Sequence, residues 1–126
     1  MELKQKCIEA YDRIIGPVRV AARKLGYAVA VHGSLSRDID LIAVPWTAEA
    51  ASAREVAEAI MSAIKEVNND IAIQAWAPGK GKEFTLDGCP GVKPHGRLGW
   101  CWHLGGGPYV DLSVMPRIVE SDNTGA

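Results

Sequence analysis

Apolar residues recur about every 3.6 positions along residues 2–25, which predicts an amphipathic helix at the start of the chain. Gly16 and Pro17 interrupt this pattern, and a proline inside a helix removes a hydrogen bond and clashes one turn back. We therefore expect a kink there or two short helices in line, with Gly26 as the C-terminal stop. The apolar stripe consists of Leu3, Cys7, Tyr11, Ile14, Ile15, Val18, Ala22 and Leu25.

Two strands and a second helix are predicted next along the chain. The apolar stretches at residues 27–32 and 38–44 are typical of strands, and the intervening residues 33–37 (GSLSR) are typical of a turn. Thr47 is a suitable N-cap for a helix that continues to about residue 68. The apolar face of that helix consists of Ala53, Val56, Ala57, Ile60, Met61, Ile64 and Val67.

The second half of the chain is predicted to consist of strands, with a Gly-, Pro- and Lys-rich loop region at residues 78–97. This order of elements predicts an α/β (α+β) fold, in which one mixed β-sheet carries helices mainly on one face. We expect a single domain over residues 1–118 and a disordered polar tail at 119–126. The expected further strands cover residues 71–77, 83–86, 98–104 and 109–115.

The composition of the 126 residues is that of an ordinary globular protein, with 48% hydrophobic and 23% charged residues. The formal net charge of −1 gives no global field for nucleic acid, although basic residues near 80–82 and 93–97 could form a local patch.

The charged N-terminus differs from a signal peptide, and no apolar run approaches the roughly 20 residues that span a bilayer. The three cysteines are an odd, sparse set that indicates a reducing compartment. We therefore expect a cytoplasmic protein.

The carboxylates of the stretch DIDLIAV are the main chemical signal in the sequence. Side chains alternate along a strand, so Asp38 and Asp40 are expected on one face with their Cα atoms roughly 6.5–7 Å apart. Their oxygens can then converge on one divalent cation, or on two cations roughly 3.5–4 Å apart. Asp111, in the similar apolar stretch YVDLSV, is the candidate third ligand from a neighbouring strand. Hard oxygen ligands favour Mg²⁺ or Mn²⁺.

These residues resemble the signature of the polymerase-beta-like nucleotidyltransferase superfamily. That signature is a Gly-Ser turn after an apolar strand, then an Asp-x-Asp strand, then a third carboxylate on a later strand. The matching residues here are Gly33, Ser34, Asp38, Asp40 and Asp111. The order of predicted elements over residues 27–115 is also similar to that family's minimal core. Small proteins carried by bacteriophages also resemble this chain in the stretches HGSLSRDIDLIAVPW, KPHGR and LGGGPYVDLSVMPR. This second resemblance would place the chain in the host cytoplasm.

The resemblance implies nucleotidyl transfer, dependent on Mg²⁺ (or Mn²⁺), from a nucleoside triphosphate to an acceptor that the sequence does not identify: RNA, protein or a small molecule. Asp111 would also activate the acceptor hydroxyl. Gly33 and Ser34 would hold the phosphates through their turn, and His103 could line the cleft as a phosphate contact or general acid. The catalytic metal ligands would be Asp38, Asp40 and Asp111.

The link between Gly-Ser and Asp-x-Asp departs from the family pattern. Only Leu35, Ser36 and Arg37 intervene, which is less than one helical turn, whereas the family usually places a short helix there. Arg37 is a candidate to replace the lost phosphate contact. The short link favours an alternative, an inactive module of the same fold that binds nucleotide, nucleic acid or a host protein. A metal-dependent phosphohydrolase would use the same carboxylates with water as nucleophile, and a homodimer could complete the cleft.

The two neighbouring aspartates also have a purely structural interpretation. Asp38 is able to cap the turn by accepting a hydrogen bond from the backbone of Ser34 or Ser36. Asp40 is able to pair with Arg37 or with another cationic side chain instead of with a metal ion. The sequence leaves both interpretations open, because surface carboxylates are commonly just solvated.

Two further groups of residues have alternative interpretations. Trp100 and Trp102 are either core residues, which would turn His103 to the opposite face, or exposed platforms that stack on a base. A second group has the residue types of zinc ligands, but its spacing matches none of the usual zinc knuckles, and such cysteines are more often buried small apolar residues. That group is Cys89, His95, Cys101 and His103.

Overall fold

A computed structural model of the protein describes residues 2–68, 72–77, 82–84 and 91–117, with 72–77 and 82–84 described by their backbone alone. Cys89 and the predicted tail at 119–126 lie outside these residues. The helices and strands are α1 (Leu3–Lys24), β1 (Tyr27–His32), β2 (Ile39–Pro45), α2 (Ala53–Val67), β3 (Ala72–Ala77), β4 (Lys82–Phe84), β5 (Gly91–Val92), a 3₁₀ turn (Pro94–Gly96), β6 (Leu98–His103) and β7 (Tyr109–Val114).

The strands form one mixed sheet in the order β1-β2-β7-β6-β3-β4, with β5 paired to β6 outside that path. β2 and β7 are parallel neighbours, and the other pairs are antiparallel. The sheet therefore brings together two segments that lie about half the chain apart, the one that begins at Ile39 and the one that begins at Tyr109. The mixed sheet and the α+β class agree with the prediction from the sequence.

Both helices pack against the same face of this sheet, and their buried residues join those of the strands in one hydrophobic cluster. Alternation then leaves the opposite side of β2 and β7 without helical cover, which is where Asp40 and Asp111 lie. Trp100 and Trp102 belong to the cluster and are 1% and 0% exposed, so the core interpretation of these residues is correct. The strand residues of the cluster are Tyr27, Val29, Ile39, Leu41, Ala43, Trp100, Trp102, Val110, Leu112 and Val114.

α1 is a single helix with Pro17 inside it, so the expected division into two short helices does not occur. Ile14 and Val18 flank the proline, and both are fully buried in the core. Burying such a side chain stabilises by about 1.5–3 kcal/mol, and several along one stripe outweigh the roughly 3 kcal/mol that an internal proline costs. The helix ends where predicted, because Gly26 adopts a φ of +87° that a left-handed C-terminal stop requires.

α2 begins later than the sequence indicated, at Ala53 rather than just after Thr47. Ser52 is the N-cap: its side chain accepts a hydrogen bond from Glu55 N–H at 3.2 Å, and the Glu55 carboxylate accepts one from Ser52 N–H at 3.2 Å. This reciprocal capping box satisfies two donors at the helix start, whereas Thr47 lies in the preceding turn. In the described part of the chain, neither helix combines the length and the apolar character needed to cross a membrane.

Candidate metal centre

The site is built on two parallel strands whose carboxylates stand side by side. Asp40 of β2 is the register partner of Asp111 of β7, and both side chains point away from the helices. On the other side of β2, His32 at the end of β1 is the register partner of Asp40. This part of the sheet therefore presents a row of titratable side chains on its open face.

Asp38 joins this row from the turn before β2, not from the strand itself. β2 begins at Ile39, so the predicted start of that strand at residue 38 was wrong. The turn nevertheless directs Asp38 toward the same place, and one carboxylate oxygen from each of Asp38, Asp40 and Asp111 lies within 4.8 Å of the others. All three side chains are partly buried. Within the described residues, this is the one group of three or more potential metal ligands that comes this close together.

Burial and the neighbouring carboxylates perturb the titration of Asp40. The pKa of Asp40 is raised to about 6, first by burial and then by the negative charges of Asp38 and Asp111, while His32 opposes the shift. Three anionic oxygens held this close favour a bound cation, because a cation removes the repulsion that otherwise favours protonation. Carboxylate oxygens alone are the ligand set that Mg²⁺ and Mn²⁺ prefer.

Gly33 allows the turn to pass directly against Asp40. Its φ is +88°, and a Cβ placed on it would lie 2.7 Å from Asp40 Oδ2. Both the conformation and the close approach therefore require glycine at this position. No other residue type would leave the Asp40 carboxylate where it is.

The rest of the turn contains no helix and is only partly open to solvent. Ser34 and Arg37 are exposed, and Ser34 Oγ donates a hydrogen bond to Ser36 Oγ at 2.8 Å. Ser34 and Ser36 thus pair with each other, and no ion pair joins Asp40 to Arg37 in the described ranges. The Asp40–Arg37 pair of the structural interpretation is not formed.

Tyr109 is a neighbour of the carboxylates that sequence reasoning missed. Its pKa is raised to about 12 by burial, then by a hydrogen bond to Asp38 and by the negative charges of Asp38 and Asp111. His103 is the register partner of Tyr109, and the two ring centroids are 5.7 Å apart at an angle of 46°. His103 thus lies on the open face, as expected if the tryptophans are core, but it contacts Tyr109 at the rim of the carboxylate cluster. Because side chains alternate along the strand YVDLSV, Tyr109 lies on the same face as Asp111. This alternation could have identified Tyr109 from the sequence.

Lys93 also enters the site, although the sequence suggested only a basic surface cluster with His95 and Arg97. Lys93 Nζ lies 2.8 Å from Asp111 Oδ1 and 2.8 Å from Ser113 Oγ, to both of which it donates. Arg97 instead donates to the carbonyl of Pro94 at 3.0 Å, and His95 is exposed in the 3₁₀ turn. The predicted basic cluster is therefore not formed as one group. The Lys93 side chain points into the site, whereas His95 and Arg97 remain near the surface.

Cys101 lies on the same face of the sheet as the carboxylates. It is the register partner of Asp111 and is 2% exposed. Burial, followed by the negative charge of Asp111, raises its pKa to about 12, which keeps the thiol protonated. Its role is that of a small buried side chain beneath the site.

Comparisons of the chain with protein-family models, with curated proteins and with solved structures find no match. The geometry of the carboxylate cluster is therefore the basis for the functional argument.

Proposed function

We propose that this chain is a nucleotidyltransferase of the polymerase-beta-like kind, which uses Mg²⁺ or Mn²⁺ to transfer a nucleotidyl group from a nucleoside triphosphate to an acceptor. The observation that carries the proposal is the convergence of Asp38, Asp40 and Asp111 to within 4.8 Å on the open face of the sheet. A divalent cation at such a site neutralises phosphate charge and lowers the pKa of an attacking hydroxyl. The acceptor is RNA, protein or a small molecule.

The residues around the cluster supply the other parts of this chemistry. Asp38 and Asp40 would hold the cation, while Asp111 would orient and deprotonate the acceptor hydroxyl, which would attack the α-phosphorus as pyrophosphate leaves. Backbone N–H groups of the turn at Gly33 and the exposed Ser34 hydroxyl contact the phosphates. Arg37, also exposed in this turn, is placed to add a charged contact.

His103 lies at the rim, where its ring contacts Tyr109, and in this proposal it contacts the phosphates as they enter. We place the reaction in the cytoplasm, which is the host cytoplasm if a bacteriophage encodes the chain. A homodimer would supply the walls that an open sheet face lacks, so a second copy is the proposed partner in addition to the nucleotide.

A second candidate is a non-catalytic module with the same core, which binds a nucleotide, a nucleic acid or a host protein. Two observations favour it. The turn from Gly33 to Asp38 contains no helix that could hold a triphosphate. In addition, Lys93 already neutralises Asp111, the residue to which transfer chemistry assigns a proton.

The first test is thermal unfolding with each nucleoside triphosphate, with and without Mg²⁺ or Mn²⁺, in the native protein and in Asp40→Asn. A ligand at 100 times its Kd stabilises the folded state by about 2.7 kcal/mol, which such a measurement resolves. We expect stabilisation by one nucleotide that needs the cation and disappears in Asp40→Asn. Asp12→Asn, at an exposed position of α1, is the matched control and should respond as the native protein does.

Product analysis then separates the candidate reactions. Release of pyrophosphate with a nucleotidylated acceptor supports transfer, whereas release of inorganic phosphate alone indicates a phosphohydrolase. Binding of a nucleotide without turnover supports the non-catalytic module. No stabilisation by any nucleotide with either cation would contradict the proposed transferase.

A further inference from the structure

Lys93 follows an unusual path that places its ammonium group among the carboxylates. It comes directly after β5, and its side chain crosses β6 to reach β7, where Nζ is 2.8 Å from Asp111 Oδ1 and 2.8 Å from Ser113 Oγ. The side chains of Lys93 and Asp111 are 19% and 23% exposed. An ion pair that is largely shielded from solvent in this way is screened less than a surface pair.

Gly99 is the residue that makes this path possible. It lies inside β6, where glycine weakens a strand and commonly marks a close approach by another group. Its φ is not positive, so backbone conformation does not require glycine there. A Cβ on Gly99 would lie 2.6 Å from Lys93 Cε and 3.2 Å from Nζ. The absence of a side chain at Gly99 therefore leaves the space that the end of the Lys93 side chain occupies.

The backbone also holds Lys93 in place. Gly91 and Val92 of β5 pair with Gly99 and Leu98 of β6, which fixes the chain up to the residue before Lys93. Lys93 N–H then donates to the carbonyl of Arg97 at 2.9 Å. The paired backbone therefore fixes the position from which the Lys93 side chain extends toward Asp111.

The charges of the site give this arrangement a consequence for metal binding. Asp38, Asp40 and Asp111 bring three negative charges when ionised, and Lys93 brings one positive charge, so two negative charges remain. One divalent cation neutralises them. A second divalent cation would have to share Asp111 with the ammonium at a distance where like charges repel strongly.

We infer that the Lys93 ammonium takes the place of a second divalent cation, so that the site binds one Mg²⁺ or Mn²⁺ and not two. Gly99 leaves the space that this side chain needs. Asp38 and Asp40 would hold the single cation, and Lys93 supplies the positive charge beside Asp111. This inference rests on the proposed function, because it specifies how many cations the same site takes. It also explains how Asp111 is held in position when no substrate is bound.

The test is the number of Mn²⁺ ions bound per chain, measured by electron paramagnetic resonance and by isothermal titration calorimetry. We expect one ion in the native protein and two in Lys93→Met, which keeps a long unbranched side chain and removes the ammonium group. Lys65→Met makes the same change at an exposed position of α2 and should bind one ion. Circular dichroism verifies that each variant is folded.

Gly99→Ala gives a second route to the same answer with Lys93 still present. The new methyl group displaces the flexible end of Lys93 from Asp111, so this variant should gain the second ion as well. In the Lys93→Met background the glycine substitution should have no further effect on the number of ions, because the group it displaces is gone.

The outcomes distinguish this inference from the proposed function. Two ions in the native protein, or one ion in both Lys93→Met and Gly99→Ala, would overturn the role of Lys93 while leaving a metal-dependent transferase in place. No Mn²⁺ bound by the native protein or any variant would overturn the metal site itself, and with it the proposed transferase.

Discussion

Asp40 and Asp111 are register partners on adjacent parallel strands, so two carboxylates from segments far apart in the sequence stand next to each other on the open face of the sheet. Asp38 adds a third carboxylate from the turn, and Lys93 compensates the charge of Asp111 alone. Asp40 is left between two negative neighbours with no ion-pair partner among the described residues. This relationship has consequences for stability that do not depend on any ligand.

The raised pKa of Asp40 predicts that the protein loses stability as the pH rises when no divalent cation is present. Between the ordinary carboxylate pKa of about 3.9 and the folded value of about 6, the folded state keeps the proton that the unfolded chain has lost. The free energy of unfolding therefore falls across this interval and levels off above it. Asp40→Asn lacks this titration. Its free energy of unfolding, relative to that of the native protein, should therefore rise by about 1 kcal/mol between pH 4 and pH 7, after allowance for solvent screening.

Urea denaturation in the presence of a chelator, at several pH values, measures this difference. Asp12→Asn is the control, because its side chain is exposed on α1 and its difference from the native protein should not change over the same pH interval. Parallel pH profiles for the native protein and Asp40→Asn would show that neither burial nor the charges of Asp38 and Asp111 raise the pKa of Asp40. Addition of Mg²⁺ should reverse the order of stability, since the native site gains a ligand and the variant does not.

Gly33→Ala should both destabilise the protein and weaken cation binding. The positive φ of Gly33 costs an alanine roughly 1–2 kcal/mol, and its Cβ would lie 2.7 Å from Asp40 Oδ2. Gly106→Ala is a matched control, because its φ is +73° and no atom lies within 4 Å of its Cβ position. Both variants should lose roughly 1–2 kcal/mol in chemical denaturation. Only Gly33→Ala should lower the affinity for Mn²⁺, by several-fold, and equal affinities in the two variants would mean that the turn does not position Asp40.

The start of α2 offers a test of the local structure that is independent of the site. Removing the N-cap in Ser52→Ala should lower the free energy of unfolding by about 1 kcal/mol, because Glu55 N–H loses its acceptor. Thr47→Ala, at the position that the sequence favoured as the cap, should change it by less than about 0.5 kcal/mol, as is usual for an exposed site. Thermal and urea unfolding of the two variants measures both quantities, and the reverse order would place the helix start at Thr47.

Much of the fold was predictable because it depends on neighbouring residues. The 3.6-residue period of α1, the apolar strands and the glycine stop at Gly26 are all local signals, and the structure contains each of them. Asp38 and Asp40 are two residues apart, so their proximity required no knowledge of the tertiary structure. Their association with Asp111 followed from the similar apolar pattern around it, and the parallel pairing of β2 and β7 agrees with that expectation.

The boundaries of elements were less predictable, since competing local signals have similar energies. Thr47 and Ser52 are both acceptable N-caps, and the reciprocal hydrogen bonds with Glu55 favour Ser52. Pro17 is unfavourable inside a helix when considered locally, but the burial of its neighbours in the core keeps α1 intact. In both cases an interaction that needs the folded context outweighs the propensity of a single residue.

By itself, the sequence determined the two helices and most of the strands, and it identified which carboxylates are candidate metal ligands, because periodicity and residue type are properties of the chain. The tertiary structure alone decided that Lys93 lies on Asp111 and that Tyr109 contacts Asp38. The Lys93 contact requires β5 to pair with β6, β6 to lie beside β7, and Gly99 to face the lysine at the crossing. These are non-local conditions on strand order and register. The ion pair between Lys93 and Asp111 forms only when all of them are met.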